Sequence, residues 1–167
     1  YAWDTSIATS ANIFVADADS SVNWLNVSAL GRNVSGGNAS NDFVELDRVM
    51  NTSNFTDSIN RTFTFNDIPK NLGSYILFST LIQNVSIANS TNVSSFTTGI
   101  LWDKSDDRPG SGSGQFNGSE DVIFITQTNR TQQGAYGYYD FEIRVPARLK
   151  RYLGPDSAAV TYYVELN

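Results

Sequence analysis

The chain has 167 residues, which is the length of one domain because domains usually hold ~100–200 residues. It contains no cysteine and no histidine, which excludes disulfides, thiolate metal sites, serine–histidine triads and histidine zinc sites. The net charge is −6 and the pI about 4.4, so nucleic acid and anionic membranes are poor partners. No stretch approaches the ~18 apolar residues of a membrane span and no signal peptide is present, so we expect a mature, processed chain.

Most of the chain has the alternation of β-strands. Residues 5–16 and 21–30 predict the first two strands. Segment 42–50 is ambiguous, because its apolar residues follow a helical period behind Asp42, a candidate cap. Later strands are predicted at 61–68, 74–87, 96–104, 121–128, 138–146 and 158–166.

The strand at 74–87 is long and apolar, which is typical of a central strand. Residues 105–119 predict a glycine-rich loop, and residues 147–154 predict the one short helix, ended by Gly154 and Pro155. There is no internal repeat and no domain linker. The sequence therefore predicts one all-β domain, an antiparallel β-sandwich or jelly roll with one short helix.

Asparagine, serine and threonine are abundant and follow a pattern. The chain has 17 asparagines and 34 serines and threonines, which would give about three Asn-X-Ser/Thr triplets by chance. Eleven occur, at Asn26, Asn33, Asn38, Asn51, Asn54, Asn60, Asn84, Asn89, Asn92, Asn117 and Asn129. Turn preference of asparagine accounts for part of the excess. The rest predicts a secreted, extracellular, N-glycosylated protein, and dense sequons with no cysteine resemble archaeal cell-surface proteins.

No constellation of residues indicates an enzyme, and no cofactor is expected. A carboxylate pair for glycoside hydrolysis is not singled out among the 17 acidic residues. Calcium is the one metal to weigh, because oxygen ligands cluster in loops at Asp17, Asp19, Asp103, Asp106, Asp107, Glu120 and Asp121. Solvated loop carboxylates explain the same residues, and no calcium-binding loop pattern is present, so we expect no metal site.

Two further features have a structural and a functional interpretation. An intramolecular crosslink from lysine to asparagine or aspartate would use one of the three lysines, Lys70, Lys104 or Lys150. The basic cluster Arg144, Arg148, Lys150 and Arg151 is too small for nucleic acid. It is either the solvated face of a short helix or a contact with an acidic patch on a neighbouring copy.

The amino terminus is apolar where a free end is usually polar. The alternation predicts that Trp3, Ile7, Ala11, Ile13 and Val15 lie on one face of an extended segment. Such a strand joins either its own sheet or the sheet of another molecule. In the second case residues 1–16 are a donor strand, residues 17–167 form the accepting sandwich, and the head-to-tail contact produces a filament. The acceptor groove would be lined by 74–87 and 158–166.

Two stretches carry a family resemblance. The opening YAWDTSIATSANIFVADADSSVNW resembles the mature start of TasA/camelysin-type proteins. The match lies on Trp3, Asp4, Thr5, Thr9, Ser10, Asn12, Phe14 and Ala16. The segment RTFTFNDIPKNLGSYILFSTL at 61–81 looks like the second recognisable stretch of that family, whereas residues 17–20 depart from its pattern.

The resemblance implies a jelly-roll subunit of an extracellular fibre, assembled by donor-strand exchange for biofilm, adhesion or cell–cell contact, as in archaeal bundling pili and threads. The metalloprotease label of some members is not carried over, because this chain has no histidine to bind zinc. The expected function is a filament subunit whose partner is a further copy of itself, with neighbouring filaments or cell-surface glycans as further candidate partners. The leading alternative is a monomeric glycosylated β-sandwich used for binding, such as an adhesin, an S-layer-associated domain or a carbohydrate-binding module. A virion surface protein is the third.

Overall fold

The computed structural model describes nine stretches of the chain. These are residues 10–17, 22–31, 40–91, 95–106, 120–129, 133–134, 137–138, 140–146 and 161–166. Within them the fold is mostly β and antiparallel, which confirms the predicted class at that level.

Seven strands form one sheet. They are β1 Ser10–Asp17, β2 Val27–Ala29, β5 Asn71–Leu77, β6 Thr80–Asn89, β7 Thr97–Asp103, β8 Val122–Asn129 and β11 Thr161–Leu166. Their order is β11-β1-β8-β7-β6-β5, and β2 also pairs with β7. Two small hairpins join β3 Thr64–Phe65 to β4 Ile68–Pro69 and β9 Gln133–Gly134 to β10 Gly137–Tyr138.

Two α-helices lie in the described part of the chain, α1 Ser40–Val49 and α2 Ile59–Phe63, with 3₁₀ turns at Trp24–Asn26 and Lys104–Asp106. The buried carboxylate of Asp47 connects the two helices. It accepts hydrogen bonds from the backbone N–H groups of Ile59 (2.7 Å) and Asn60 (2.9 Å) and from the hydroxyl of Thr52 (2.8 Å). A carboxylate at a helix N-terminus satisfies N–H groups that have no partner within the helix.

The two faces of the sheet are buried against different partners. One face of the sheet packs against the helices in a shared core cluster. The sheet supplies Ile100, Trp102 and Phe124 to this cluster, and the helices supply Phe43 of α1 and Phe63 of α2. The other face packs against itself. Its core cluster is Phe14, Ala16, Val22, Val27, Ala29, Tyr75, Leu77, Val85, Leu101, Ile123 and Ile125.

That second cluster, together with a 2.8 Å hydrogen bond from Asn12 of β1 to the backbone carbonyl of Ile76 of β5, shows that the sheet is rolled. Tyr75 and Leu77 belong to β5, and Phe14 and Ala16 to β1, yet all four share one core. In a flat sheet β1 and β5 would be about 19 Å apart, since neighbouring strands lie ~4.8 Å apart. The roll brings one end of the sheet towards the other around an apolar interior.

Several strand predictions hold with changed boundaries. Residues 96–104 become β7 and 121–128 become β8, whereas the described parts of 5–16 and 158–166 lie in β1 and β11. Residues 5–9 and 158–160 lie outside the described residues. Segment 21–30 is a 3₁₀ turn followed by the short β2, and the ambiguous segment 42–50 is helical within α1. The predicted helix at 147–154 and most of the loop at 105–119 lie outside the described residues.

Three strand predictions were wrong. Residues 61–68 begin within helix α2, because Ser58 caps that helix and Asp47 binds its first N–H groups. Residues 74–87 are not one strand but the hairpin β5–β6, which turns at Phe78 and Ser79. Within 138–146, Tyr138 ends β10 and the described residues 140–146 form no regular strand.

Candidate functional site: the slot that holds the first strand

The first strand lies inside the sheet rather than at its edge. β1 pairs antiparallel with β8 on one side and with β11 on the other. Ile13 is opposite Thr126 of β8 and Val164 of β11. The two neighbours of β1 therefore form a slot one strand wide, which we call the β8–β11 slot.

Both faces of β1 are buried. Ala11, Ile13 and Val15, which were predicted to lie on one face of a donor strand, are 6%, 5% and 1% exposed. Phe14 and Ala16 on the opposite face are fully buried, which the alternation did not predict. Trp3 and Ile7 lie outside the described residues.

An aromatic cluster lies against one face of β1 in the slot. The ring of Trp24 lies 4.8 Å from that of Phe14, 5.5 Å from that of Phe78 and 5.0 Å from that of Tyr163. These centroid distances are in the range of favourable edge-to-face contacts. Trp24 therefore joins β1, the β5–β6 hairpin and β11, a role that its position in a presumed strand did not reveal.

A polar cluster crosses the slot beside these rings. The Asn12 side-chain nitrogen donates to the backbone carbonyl of Ile76 (2.8 Å) and to the carboxylate of Glu165 (2.9 Å), and its oxygen accepts from Gln127 (3.2 Å). The other carboxylate oxygen of Glu165 accepts from the backbone N–H of Phe78 (2.6 Å). Asn12 is fully buried and Glu165 is 9% exposed.

These bonds close the roll of the sheet without a strand ladder. β5 and β11 stand at opposite ends of the strand order, and the contacts of Asn12 and Glu165 with Ile76 and Phe78 connect them. Of the two segments expected to line an acceptor groove, 158–166 supplies β11, a direct neighbour of β1. The hairpin within 74–87 closes the far side, and the neighbour on the other edge is β8, which the sequence did not single out.

The sequons in the described residues differ in exposure. Asn26, Asn51, Asn54 and Asn89 are exposed. Asn84 is half-buried at a β-bulge of β6, where its φ of 59° is in the left-handed region that asparagine tolerates. Of Asn129 only the backbone, at the end of β8, is described. Four sequons lie outside the described residues, at Asn33, Asn38, Asn92 and Asn117.

Asn60 differs from the other described sequons. Its side-chain nitrogen donates to Asp67 at 2.7 Å, and its oxygen accepts from the hydroxyl of Thr64. Thr62, the third residue of the same sequon, is only 7% exposed. The amide that a glycan would modify is therefore held in the contact between α2 and the β3–β4 turn.

The acidic residues proposed as calcium ligands do not converge in the described part of the chain. Asp103 is fully buried and accepts from the backbone N–H groups of Asn23 (2.5 Å) and Ser105 (2.8 Å), so its carboxylate holds a turn. Glu120 and Asp121 are also buried. Side chains of Asp17, Asp19, Asp106 and Asp107 lie outside the description. No group of three or more acidic side chains arranged for a metal occurs among the described residues.

The lysines and the basic cluster singled out in the sequence are described only in part. Lys70 donates to the backbone carbonyls of Arg61 (2.6 Å) and Thr62 (3.2 Å) in the last turn of α2, a favourable position for a cation. Lys104 is exposed. Arg144 is exposed and its backbone N–H donates to Thr98, whereas Arg148, Lys150 and Arg151 lie outside the described residues.

Comparisons with known proteins give no further assignment. No family model, no curated protein and no solved structure matches this chain. Among the described residues, no helix combines the length and apolar character needed to cross a membrane.

Proposed function

We propose that this protein is a secreted, N-glycosylated structural subunit, not an enzyme, that polymerises into an extracellular filament by exchanging its first strand. The single observation that carries the proposal is the position of β1, which comes first among the described elements and fills a slot between two other strands. In the filament, the β8–β11 slot of each copy accepts β1 of the next copy. The accepting body would then be the jelly-roll subunit that the TasA/camelysin resemblance implies.

Exchange is energetically feasible because it preserves contacts. A strand supplied by a neighbour makes the same ladder bonds and buries the same side chains as the chain's own strand, which is the principle of domain swapping. Only residues 18–21 separate β1 from Val22, and short hinge segments favour such exchange. Phe14, Val15 and Ile13 each contribute about 1.5–3 kcal/mol when fully buried, so an exchanged contact would be long-lived.

The distribution of sequons supports an extracellular location. Asn26, Asn51, Asn54 and Asn89 are exposed, and none of them is part of the ladders of β1 with β8 and β11. Glycans at these positions would stay in solvent while leaving the slot unobstructed. The surface of the proposed filament would thus be covered with sugar, and the strand contact would remain protein to protein.

Electron microscopy of the native secreted protein is the first test. We expect filaments, and we expect them to survive boiling in SDS as a ladder of multimers on a gel. Monodisperse monomers that remain monomeric on concentration would contradict the proposal.

A disulfide trap identifies which copy supplies β1. The chain has no cysteine, so Ile13→Cys with Val164→Cys introduces one defined pair across the β1–β11 ladder. Facing residues on neighbouring strands are close enough for a disulfide after small adjustment. Oxidation should link successive copies into a covalent ladder on a non-reducing gel if strands are exchanged, and should give only crosslinked monomer if they are not.

Two controls calibrate the trap. Val164→Cys alone can link at most two copies, so it should not give a ladder. Ala88→Cys with Thr98→Cys faces across β6 and β7, whose pairing does not involve the exchanged segment, and should crosslink within one chain.

A monomeric glycosylated binding module is the second candidate. β1 contacts strands of its own chain, which favours it directly, and Phe65 and Ile68 form a solvent-exposed pair on the β3–β4 hairpin, 71% and 63% exposed. An aromatic ring presented in this way suits an adhesin or a carbohydrate-binding surface. The monomer-only outcome of the disulfide trap would select this candidate.

A further inference from the structure

Asn12 is an exception within an apolar strand. The buried run of β1 from Ala11 to Ala16 contains no other polar side chain, and Asn12 is fully buried. A buried amide is costly unless its donors and acceptors are paired. Its presence at this position therefore requires a specific set of partners.

Those partners are present and they match. Both donated bonds and the accepted bond of the amide are made, to Ile76, Glu165 and Gln127. Glu165 in turn accepts from Phe78 with its second oxygen. The three side chains Asn12, Gln127 and Glu165, which we call the Asn12 lock, thus tie β1 to β8, to β11 and to the β5–β6 hairpin.

The Asn12 lock restricts the register of the strand. A slip of one residue turns the buried side chains of β1 to the opposite face. A slip of two places Ser10 or Phe14 beside Glu165. The serine side chain is too short for all three contacts, and phenylalanine can make none of them, so Glu165 would be left without its amide donor in a buried site.

We infer that the Asn12 lock is the specificity determinant of the β8–β11 slot: it admits only a strand that presents a side-chain amide at this position, and it thereby sets register and strand identity. Register selection applies whether β1 comes from the same chain or from a neighbour. Selection between copies rests on the proposed filament function.

Exchanging the amide and the acid between positions 12 and 165 tests the Asn12 lock in the full chain. Asn12→Asp places a second carboxylate against Glu165 and should lower the equilibrium constant for folding about 100-fold. Glu165→Gln alone places the NH₂ group of the new side chain against a donor, either the NH₂ group of Asn12 or the N–H of Phe78. It should lower the equilibrium constant for folding about 10-fold. In the double variant the introduced glutamine donates to the introduced aspartate and still accepts from the N–H of Phe78, so only the bond to Ile76 is lost.

The double variant should therefore be more stable than Asn12→Asp alone, although it carries one more substitution. Asn71→Asp is the matched control, because Asn71 is an exposed residue of β5 outside any sequon, and it should change the folding constant by no more than about 2-fold. Urea unfolding gives all four values. Equal effects of Asn12→Asp and Asn71→Asp, or a double variant no better than Asn12→Asp, would overturn the inference.

Hydrogen exchange on the unmodified chain covers the case in which the variants do not fold. The first central residue of a two-residue turn ordinarily has an unprotected amide, whereas the N–H of Phe78 is bound by Glu165. We expect at least about 100-fold slower exchange for Phe78 than for an open amide. Rapid exchange at Phe78 would overturn the lock.

Strand identity is tested by mixing. Wild-type and double-variant chains carrying different labels should form separate filaments, because each slot mismatches the strand of the other type. Free copolymerisation would overturn selection between copies. If the wild type forms no filaments, the filament proposal fails, while the stability measurements still decide the register part of the inference.

Discussion

The backbone N–H of Phe78 donates a 2.6 Å hydrogen bond to the carboxylate of Glu165, 87 residues further along the chain. Phe78 and Ser79 form the two-residue turn between β5 and β6, with φ of 45° and 69°. This left-handed region is uncommon for residues other than glycine, asparagine and aspartate. Glu165 and the contact between Phe78 and Trp24 therefore hold a turn that its own residues do not favour.

Ser79→Gly should stabilise the protein. Glycine adopts a positive φ without steric cost, and Ser79 is exposed, so we expect a gain of about 0.5–1 kcal/mol in the free energy of unfolding. Urea unfolding measures it. Ser74→Gly, at an exposed strand position of β5, is the control and should destabilise. A loss of stability in Ser79→Gly would mean that the turn is not strained.

This turn shows where the sequence was informative and where it was not. The helical period of 42–50 is a local signal; it left the segment ambiguous in the sequence, and the structure shows it to be helical within α1. The apolar run at 74–87 contains no glycine, proline or asparagine near position 78, so it predicted one strand. The turn depends on Glu165 and Trp24, which are distant in sequence, and single-sequence patterns do not contain such contacts.

Asn12 gives the same lesson for the candidate site. Asn12 lies on the face of the first strand opposite Ala11, Ile13 and Val15, and the sequence analysis did not predict that it is fully buried. The sequence predicted that β1 is a strand with buried residues at 11, 13 and 15, and this holds. It named 158–166, which supplies β11, as a segment of the groove, but it did not single out β8. Alternation gives the face of a side chain but not the neighbour of a strand.

Gly99 should not tolerate a larger side chain. A Cβ at this position would lie 2.8 Å from the ring of Tyr75 and 2.9 Å from the side chain of Ile125, inside the rolled core. Gly99→Ala should cost about 1–3 kcal/mol of unfolding free energy. A Cβ at Gly73 would lie 3.1 Å from its nearest neighbour, a side-chain methyl of Ile87. Gly73 itself is half-buried. Gly73→Ala should therefore cost less, and the reverse order would contradict the rolled packing.

Asp47 should contribute strongly to the helical layer. Asp47→Asn places an NH₂ group against N–H donors of α2 and removes a charge-assisted contact, so we expect a loss of about 1.5–3 kcal/mol. Glu45→Gln is the matched control on the same helix. Glu45 contacts Arg48 on the surface, and such pairs contribute little. Unfolding curves for both variants decide it, and equal losses would argue against the role of Asp47 in joining the helices.

Occupancy of the sequons should differ between Asn60 and Asn54. If glycans are added to the folded chain, the glycan occupancy of Asn60 should be lower than that of Asn54. The reason is that the amide of Asn60 is held by Asp67 and that Thr62, the third residue of its sequon, is buried. Glycopeptide mass spectrometry of the native protein measures both sites. Asn54→Gln should remove glycan mass with less than about 0.5 kcal/mol effect on stability. Asn60→Gln should instead cost about 0.5–1.5 kcal/mol. Equal occupancy would contradict this prediction.

Tyr75 should make the protein sensitive to alkaline pH. Burial raises the pKa of Tyr75 above its ordinary value, and a hydrogen bond with Thr97 opposes this in part. Because the folded-state pKa lies above that of the unfolded chain, the folded state retains the proton to higher pH. The corresponding stability is fully present below the unfolded pKa of ~10 and is lost as pH rises through the folded value.

Urea unfolding between neutral pH and pH 11 should thus show a decline that Tyr75→Phe reduces. Phenylalanine has no proton to lose, so the component due to residue 75 disappears, although the variant is less stable at neutral pH because the bond with Thr97 is gone. Tyr162→Phe is the control, since Tyr162 is 64% exposed on β11 and should leave the alkaline decline unchanged. A Tyr75→Phe variant with an unaltered decline would place the alkaline sensitivity elsewhere in the chain.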